Sequence, residues 1–367
     1  MNQYSIVKTG WEMFDLSRAY GLGILLYGLS GSDVYICDKA YYFEISAPKI
    51  RSINVANLSL FLADDLSWRE VLLTAPGKGR RDSQKVKEMK DFLTGRESSK
   101  RISNLLNQYT SFKPTGIPSP KGETLYQPME LRATKGLRNA VRLRKQYSEG
   151  ESIKVKKDDW ILSCLGHLNV TVWKYDVLPR RASNELLVAM PVPSSEGTKA
   201  DHLLYQIKKD RIEKAILRIH RAGKMPTLAY IGVNITEAIL DLVKTPLQYK
   251  PRFSSILYGS MRATGKGAMK RWKPATAGMF SLEYLNEIAK SSNAKLLLSF
   301  LEEIFRKTDK TGYEDLAESL SRFLADPSFM NFENYLRLHV RHSLNNEAKI
   351  PLYTKEVIKG VMENVRS

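Results

Sequence analysis

The spacing of apolar and polar positions divides the 367-residue chain near Ser281: before it strand-like and helix-like runs alternate, and after it every run has helical spacing. Near the N-terminus, "DLSRAYGLGILLYGL" opens on Asp15 as a cap and continues in an apolar helical pattern, which predicts a buried helix. "DVYICDKAYYFEIS" predicts two short strands around Asp38-Lys39. Turn-rich stretches lie at 76–83, "PGKGRRDS", and at 113–122, "KPTGIPSPKG", the latter the natural place for a subdomain junction. Strand-like runs begin at 169, "NVTVWKYDVL", and at 184, "NELLVAMPVP". A helix is expected from about Asp201 to Arg221, a strand over "TLAYIGV" from 227 and a helix over "ITEAILDLV" from 235. Such alternation predicts a sheet with helices packed on it.

Beyond Ser281, which can cap "LEYLNEIAK", one apolar stripe is formed by Leu297, Phe300, Leu301 and Ile304 and another by Leu316, Leu320, Phe323 and Leu324. Asp326-Pro327 offers a cap and first-turn proline for a helix bearing Phe332, Leu336 and Val340; Val357, Ile358, Val361 and Met362 complete the series. The fold class expected is α+β: a mixed α/β region over 1–280, with a junction near 113–122, followed by an all-helical bundle over 281–367.

Composition is that of a folded protein, with 43% hydrophobic and 26% charged residues. The most apolar run, Ala19 to Leu29, is eleven residues long, short of the ~18 to 20 that span a bilayer. No basic leader or cleavage site accompanies it, so a cytoplasmic protein with no membrane partner is expected. Cys37 and Cys164 are the only cysteines, too few for a disulfide framework or a cysteine-based zinc motif.

Charge alters this ordinary picture. The balance of 57 Lys and Arg against 39 Asp and Glu is +18, which favours an anionic partner. The excess is concentrated in two acid-free stretches. The 41 residues between Asp241 and Glu283 carry +8, including Arg262, Lys266, Lys270, Arg271 and Lys273; residues 131–148, "LRATKGLRNAVRLRKQYS", carry +6. In the latter, Lys135, Arg138, Arg142 and Lys145 recur at intervals of 3, 4 and 3 and share one helical face. Like charges so placed repel, a cost that an anion removes; the alternative is a solvated basic surface.

The stretch "GSMRATGKGAMKRWKPATAG", 259–278, invites comparison with a phosphate-binding loop. Five residues rather than four separate Gly259 from Gly265, and Gly267 rather than Ser or Thr follows Lys266, so it is not a P-loop. Its glycines permit close backbone approach to a ligand. Tyr249, Phe253, Tyr258 and Trp272 interleave with the cations and could stack on bases, unless Trp272 and Phe253 are simply packed in the core. The candidate nucleic-acid-binding residues are therefore Lys135, Arg138, Arg142, Lys145, Arg262, Lys266, Lys270, Arg271, Trp272 and Lys273.

Candidates for chemistry are weaker. Asp64-Asp65 and Asp158-Asp159 precede helical runs, where capping acids are expected, and adjacent carboxylates diverge on a helix or strand. His339 and His342 have a ligand-like i,i+3 spacing, but His339 continues an apolar stripe; Cys164 and His167 lack a second ligand pair. No catalytic residue, metal or cofactor is assigned.

The order of the "DLSRAYGLGILLYGLSG" helix, the "DVYICDKAYYFEIS" hairpin, a mixed middle and a helical tail containing "FLADPSFMNFENYLRLHVR" resembles the large subunit of type I CRISPR interference complexes (Cascade), particularly the compact I-A type. The likeness spans most of the chain and rests on architecture, with no diagnostic motif and no individual residue to carry over. The resemblance implies a mixed N-terminal region with a C-terminal helical bundle. It also implies a non-catalytic role: recognising the protospacer-adjacent motif in target duplex DNA, supporting strand opening directed by the guide RNA, and recruiting a helicase-nuclease beside the other Cascade subunits. The competing expectations are a metal-dependent nucleic-acid-processing enzyme and an RNA-binding structural protein of another ribonucleoprotein.

Overall fold

The computed structural model describes residues 1–50, 53, 58, 61–62, 80–110, 112–125, 153–175, 185–199, 211–216, 218, 222–264, 271–344, 349–362 and 365. Its elements run β1 (Asn2–Val7), α1 (Glu12–Ser30), β2 (Tyr35–Asp38), β3 (Tyr42–Ala47), α2 (Arg80–Thr94), α3 (Ser98–Tyr109), β4 (Pro118–Thr124), β5 (Lys154–Val155) and α4 (Lys157–Val170). There follow β6 (Val172–Tyr175), β7 (Glu185–Pro193), β8 (Thr198–Lys199), α5 (Lys224–Leu240), β9 (Phe253–Thr264) and β10 (Arg271–Ser281). The chain closes with α6 (Glu283–Lys290), α7 (Ala294–Thr308), α8 (Glu314–Ala325), α9 (Phe329–Leu344) and α10 (Lys355–Met362). The fold is α+β, with mixed elements first and helices alone after Ser281.

Two compact units interleave along the sequence. One comprises Met1–Thr171, Met190–Tyr205 and Leu257–Gly278; the other comprises Val172–Ala189, Gln206–Ile256 and Met279–Ser367. Within the turn-rich 113–122 stretch, the residues from Pro118 onward form β4 of the first unit.

In the first unit a four-stranded sheet has the order β1-β3-β2-β8. The expected strands around Asp38-Lys39 are β2 and β3, antiparallel with Tyr35 opposite Ser46 and Asp38 opposite Phe43. Alternation in β3 buries Phe43, Ile45 and Ala47, the pattern of a sheet with one covered face. That cover includes α1, of whose 19 residues sixteen are buried; a helix enclosed this fully is apolar on nearly every side, and its buried charges, Asp15 and Arg18, are paired. It begins at Glu12, upstream of the expected cap, because Met13 and Phe14 already belong to the buried pattern. Asp15 instead sits in the first turn and its carboxylate accepts the N–H groups of Thr9 (2.7 Å) and Gly10 (3.1 Å), tying down the incoming chain.

Helices α1 and α4 approach backbone to backbone. A Cβ on Gly21 would lie 2.7 Å from the carbonyl carbon of Leu162, and one on Gly166 would lie 2.6 Å from the nitrogen of Gly21. Only glycine fits at either position. Beside this crossing, the fully buried Arg18 guanidinium donates to Asp15 Oδ1 (2.8 Å), Asp159 Oδ1 (2.9 Å), Thr115 Oγ1 (2.9 Å) and the Val7 carbonyl (3.1 Å), while the Tyr109 hydroxyl donates to Asp159 Oδ1 at 2.8 Å. Burial works against the charge on Arg18, but Asp159 and then Asp15 outweigh it and raise its pKa. β1, α1, α4 and the segment at Thr115 are thus pinned to one guanidinium, and α3 is tied in through Asp159.

The second four-stranded sheet has the order β10-β9-β7-β6, and the border between the units passes through β7, β9 and β10. All nine residues of β7 are buried, as the apolar run from Leu186 to Pro193 requires, and Glu185 at its start is paired with Lys224 Nζ at 3.2 Å. β6 pairs antiparallel with it, Val172 opposite Ala189 and Tyr175 opposite Leu186. Asn169 and Val170, expected to open the β6 run, close α4 instead.

The strand expected over "TLAYIGV" is wrong: these residues lie inside the continuous helix α5. Their β-forming character gives way to burial of the helix on nearly every side, and a short apolar run does not distinguish the two forms by period. Pro226 occupies the first turn, where its missing N–H costs nothing. The hydroxyls of Thr227 and Thr236 donate back to the carbonyls of Gly223 (2.8 Å) and Gly232 (2.9 Å), which accommodates β-branched residues in a helix. Of the helix expected over 201–221, residues 211–216 are helical and the first ten positions lie outside the described residues.

The helices after Ser281 form as the stripes predict. The Ser281 hydroxyl accepts the Glu283 N–H (3.2 Å) at the start of α6. At α9, however, the cap is Ser328 and not Asp326: the Ser328 hydroxyl accepts the Asn331 N–H at 3.4 Å, and Asp326 receives the Asn331 side chain instead. Leu297, Leu298, Leu301 and Ile304 of α7 are buried, each contributing roughly 1.5–3 kcal/mol. Among the described residues no helix is long and apolar enough to cross a membrane.

Candidate nucleic-acid interface

The glycine-rich stretch expected as a loop is for the most part a β-hairpin, because β9 extends to Thr264 and β10 begins at Arg271. Three contacts in step fix the pairing: the Leu282 N–H donates to the Ser254 carbonyl (3.0 Å), the Tyr258 ring lies over Gly278, and the Ser260 and Thr276 hydroxyls are 2.8 Å apart. A side chain at 278 would collide with that ring, its Cβ 2.7 Å from the tyrosine oxygen. Arg262 continues the series on β9 and is exposed. Arg271, Trp272 and Lys273 occupy the first three positions of β10, and Lys266 and Lys270 fall between the strands, outside the described residues.

Among the described strands β10 is the edge of its sheet, which explains how Pro274, with no N–H to give, is tolerated there. Two of the aromatic residues proposed to stack on bases are unavailable for it. Phe253 is packed in the core, and Tyr249 is buried with its hydroxyl donating to Asn286 Oδ1 at 2.6 Å. Tyr258 is half-buried.

Lys135, Arg138, Arg142 and Lys145 lie outside the described residues, but the chain on either side of them does not. β4 ends and β5 begins side by side, Thr124 opposite Lys154, and the Leu125 N–H donates to the Ile153 carbonyl at 2.8 Å. The described chain on either side of residues 126–152, which include the basic stretch 131–148, is therefore joined in one small antiparallel ribbon. That ribbon and the distal part of the β9–β10 hairpin, Leu257–Gly278, belong to the same compact unit.

The residues weighed for chemistry are engaged elsewhere. Asp159 does not cap α4 but serves Arg18 and Tyr109, and Asp158 accepts a bond from Gln108 Nε2 (2.6 Å). Asp64 and Asp65 lie outside the described residues. His339 is buried with Nδ1 3.2 Å from the Tyr335 hydroxyl, His342 Nε2 is 2.9 Å from Asp315 Oδ1, and His167 Nδ1 is 3.0 Å from the Thr171 hydroxyl. Cys164 is buried. Among the described residues no group of three or more His, Cys, Asp or Glu side chains is placed to hold a metal ion. The Arg18 cluster itself escaped the sequence reading, since its members are 97 to 141 positions apart across Thr115 and Asp159.

No known protein-family model matches the chain. A protein of Archaeoglobus fulgidus, described only as uncharacterized, is 38% identical over 367 residues, which is all of this chain and 99% of its own length. The chain belongs to the family of that archaeal protein. Because the match runs end to end, both compact units, the β9–β10 hairpin and the β4–β5 ribbon fall within what the archaeal family shares.

Proposed function

We propose that this protein is a non-catalytic nucleic-acid-binding subunit of the kind that forms the large subunit of a type I CRISPR Cascade complex. In that role it acts in the cytoplasm, engages target duplex DNA at the protospacer-adjacent motif, supports strand opening by the guide RNA and recruits a helicase-nuclease. One observation carries the reading: much of the acid-free stretch 242–282 is drawn out on the β9–β10 hairpin, with Arg262, Arg271 and Lys273 on its strands, while Lys266 and Lys270 fall between those strands in the sequence, outside the described residues. The hairpin forms the β10 side of a four-stranded sheet, and strands laid in a groove are one established way of reading duplex DNA. Cations at its end meet phosphates first and so set register, while Trp272 supplies a stacking surface if strands separate. Lys135, Arg138, Arg142 and Lys145 add phosphate contacts on the second basic stretch. Sequence specificity beyond the short motif belongs to guide pairing, so this subunit needs no reaction centre.

The test is charge reversal at Lys266, Lys270 and Arg271 in the full-length chain, alone and in its guide-RNA complex. Removing three phosphate contacts lowers the slope of log affinity against log salt by about 2 to 3 for duplex DNA. An unaltered slope and affinity in a variant that melts like the parent would refute the assignment. Tighter binding to RNA than to duplex at every salt concentration would point to a structural ribonucleoprotein role instead.

A further inference from the structure

The β4–β5 ribbon, which joins the described chain on either side of residues 126–152, carries cations that ordinary composition does not reveal. β4 is bulged against β5, so that both Pro118 and Glu123 stand opposite Val155. Gly122 lies against the Val155 backbone, a Cβ there falling 2.5 Å from the Val155 carbonyl carbon. Lys121 adjoins this glycine, and Lys154 and Lys156 flank Val155 on either side. All three lysines are exposed, whereas Val155 is buried, so Lys154 and Lys156 stand on the outward side of the ribbon. They are spaced by two residues of extended chain, about 6.6 Å, which is about two base steps of one DNA strand. None of the three forms an ion pair with a described residue. The nearby Lys157, by contrast, is paired with Glu88 at 3.7 Å. Glu123, the carboxylate of the ribbon, is half-buried and leaves a net positive surface.

Like charges gathered around one pairing point weaken a ribbon by tenths of a kcal/mol each, a cost that an anion bound across them cancels. We infer that Lys121, Lys154 and Lys156 form a phosphate-contact site on the β4–β5 ribbon, which grips the backbone of a nucleic acid; the identity of that ligand rests on the function proposed above. A membrane surface is the less suitable anion, because interfacial sites pair cations with a face of exposed apolar side chains, and of the apolar residues at this ribbon Leu125, Ile153 and Val155 are buried while Ile117 is half exposed.

The experiment uses the full-length chain carrying Lys121→Gln, Lys154→Gln and Lys156→Gln, titrated with a short duplex DNA at several salt concentrations beside the parent and the hairpin charge-reversal variant. The expected result is a salt slope lower by about 2 to 3 with unchanged melting. If the hairpin variant loses slope and the ribbon variant does not, the ribbon site is refuted and the function stands. If the parent fails to bind duplex DNA, both fall. Binding of the parent to vesicles of phosphatidylserine, lost in the ribbon variant while duplex affinity stays, also overturns the inference. Amine-reactive footprinting of the parent gives a reading independent of any substitution: duplex DNA should protect Lys121, Lys154 and Lys156, and equal labelling with and without it counts against the site.

Discussion

Replacing Arg18 by Met tests the hub of the first unit most directly, since the side chain keeps its bulk and loses its charge and four hydrogen bonds. The two carboxylates it serves are left in different positions. Asp15 keeps the N–H groups of Thr9 and Gly10 and the Thr9 hydroxyl, all within 3.1 Å. Asp159 keeps only the Tyr109 hydroxyl at 2.8 Å among its described partners. Breaking a buried ion pair from one side costs about 3–5 kcal/mol, and here the stranded charge is chiefly Asp159, 2% exposed. Asp159→Asn on the Arg18→Met background should therefore restore part of the loss, although either change alone destabilises. Urea denaturation at pH 7, each variant against the parent, measures the effect. A cost below about 1 kcal/mol or no rescue by Asp159→Asn would each show that the cluster is not energetically coupled as its geometry requires.

Two further outcomes follow from packing and burial. Gly21→Ala and Gly166→Ala each force α1 and α4 apart at one crossing, so each should cost about 1–3 kcal/mol or more in denaturant midpoint; the double variant should cost clearly less than the sum, because the helices need separate only once. Full additivity would mean that the two glycines are not in the same contact. Burial lowers the pKa of His339 from 6.5 to about 4, so the folded state holds it neutral. That stability is complete above pH 6.5 and is lost as pH falls toward 4, on the order of 2 kcal/mol after allowance for partial solvation. The stability gap between the parent and His339→Gln should narrow by this amount between pH 7 and pH 4, and a constant gap would contradict it.

What could be read from the sequence is what depends on local period. The stripes Leu297-Phe300-Leu301-Ile304 and Leu316-Leu320-Phe323-Leu324 lie on helices, because the 3.6-residue repeat survives whatever packs against it. The 227–233 segment was misread for the complementary reason: with burial nearly all round, α5 shows no polar face to set its phase, and β-branched composition then favours strand. Acid-free windows are also a local property, so the two basic stretches were visible while their frame was not. That 259–278 is a hairpin depends on pairing such as Ser260 with Thr276, and that Lys121 lies beside Lys154 and Lys156 depends on the bulge at Val155. Neither relation leaves a mark within a window of the sequence.

Stability and charge are assigned to different residues in the first unit. The ion pairs that hold it together, Arg18 with Asp15 and Asp159, are buried and mutually compensated, so they contribute little field outside. Among the cations at its surface, Arg262, Lys121 and Lys154 are exposed on strands that lead into connecting segments, and Lys156 directly follows β5. A scaffold of this kind, with α1 and α4 locked by Gly21 and Gly166 and the strands anchored by backbone pairing, can support basic excursions at no cost to its own core, and loops carried on rigid elements are where binding residues concentrate. Under the function proposed above, the +18 charge would belong to the ligand surface and not to the fold. A polyanion laid across that surface releases counterions for each phosphate met, which supplies affinity from solvent and salt and leaves the buried network undisturbed.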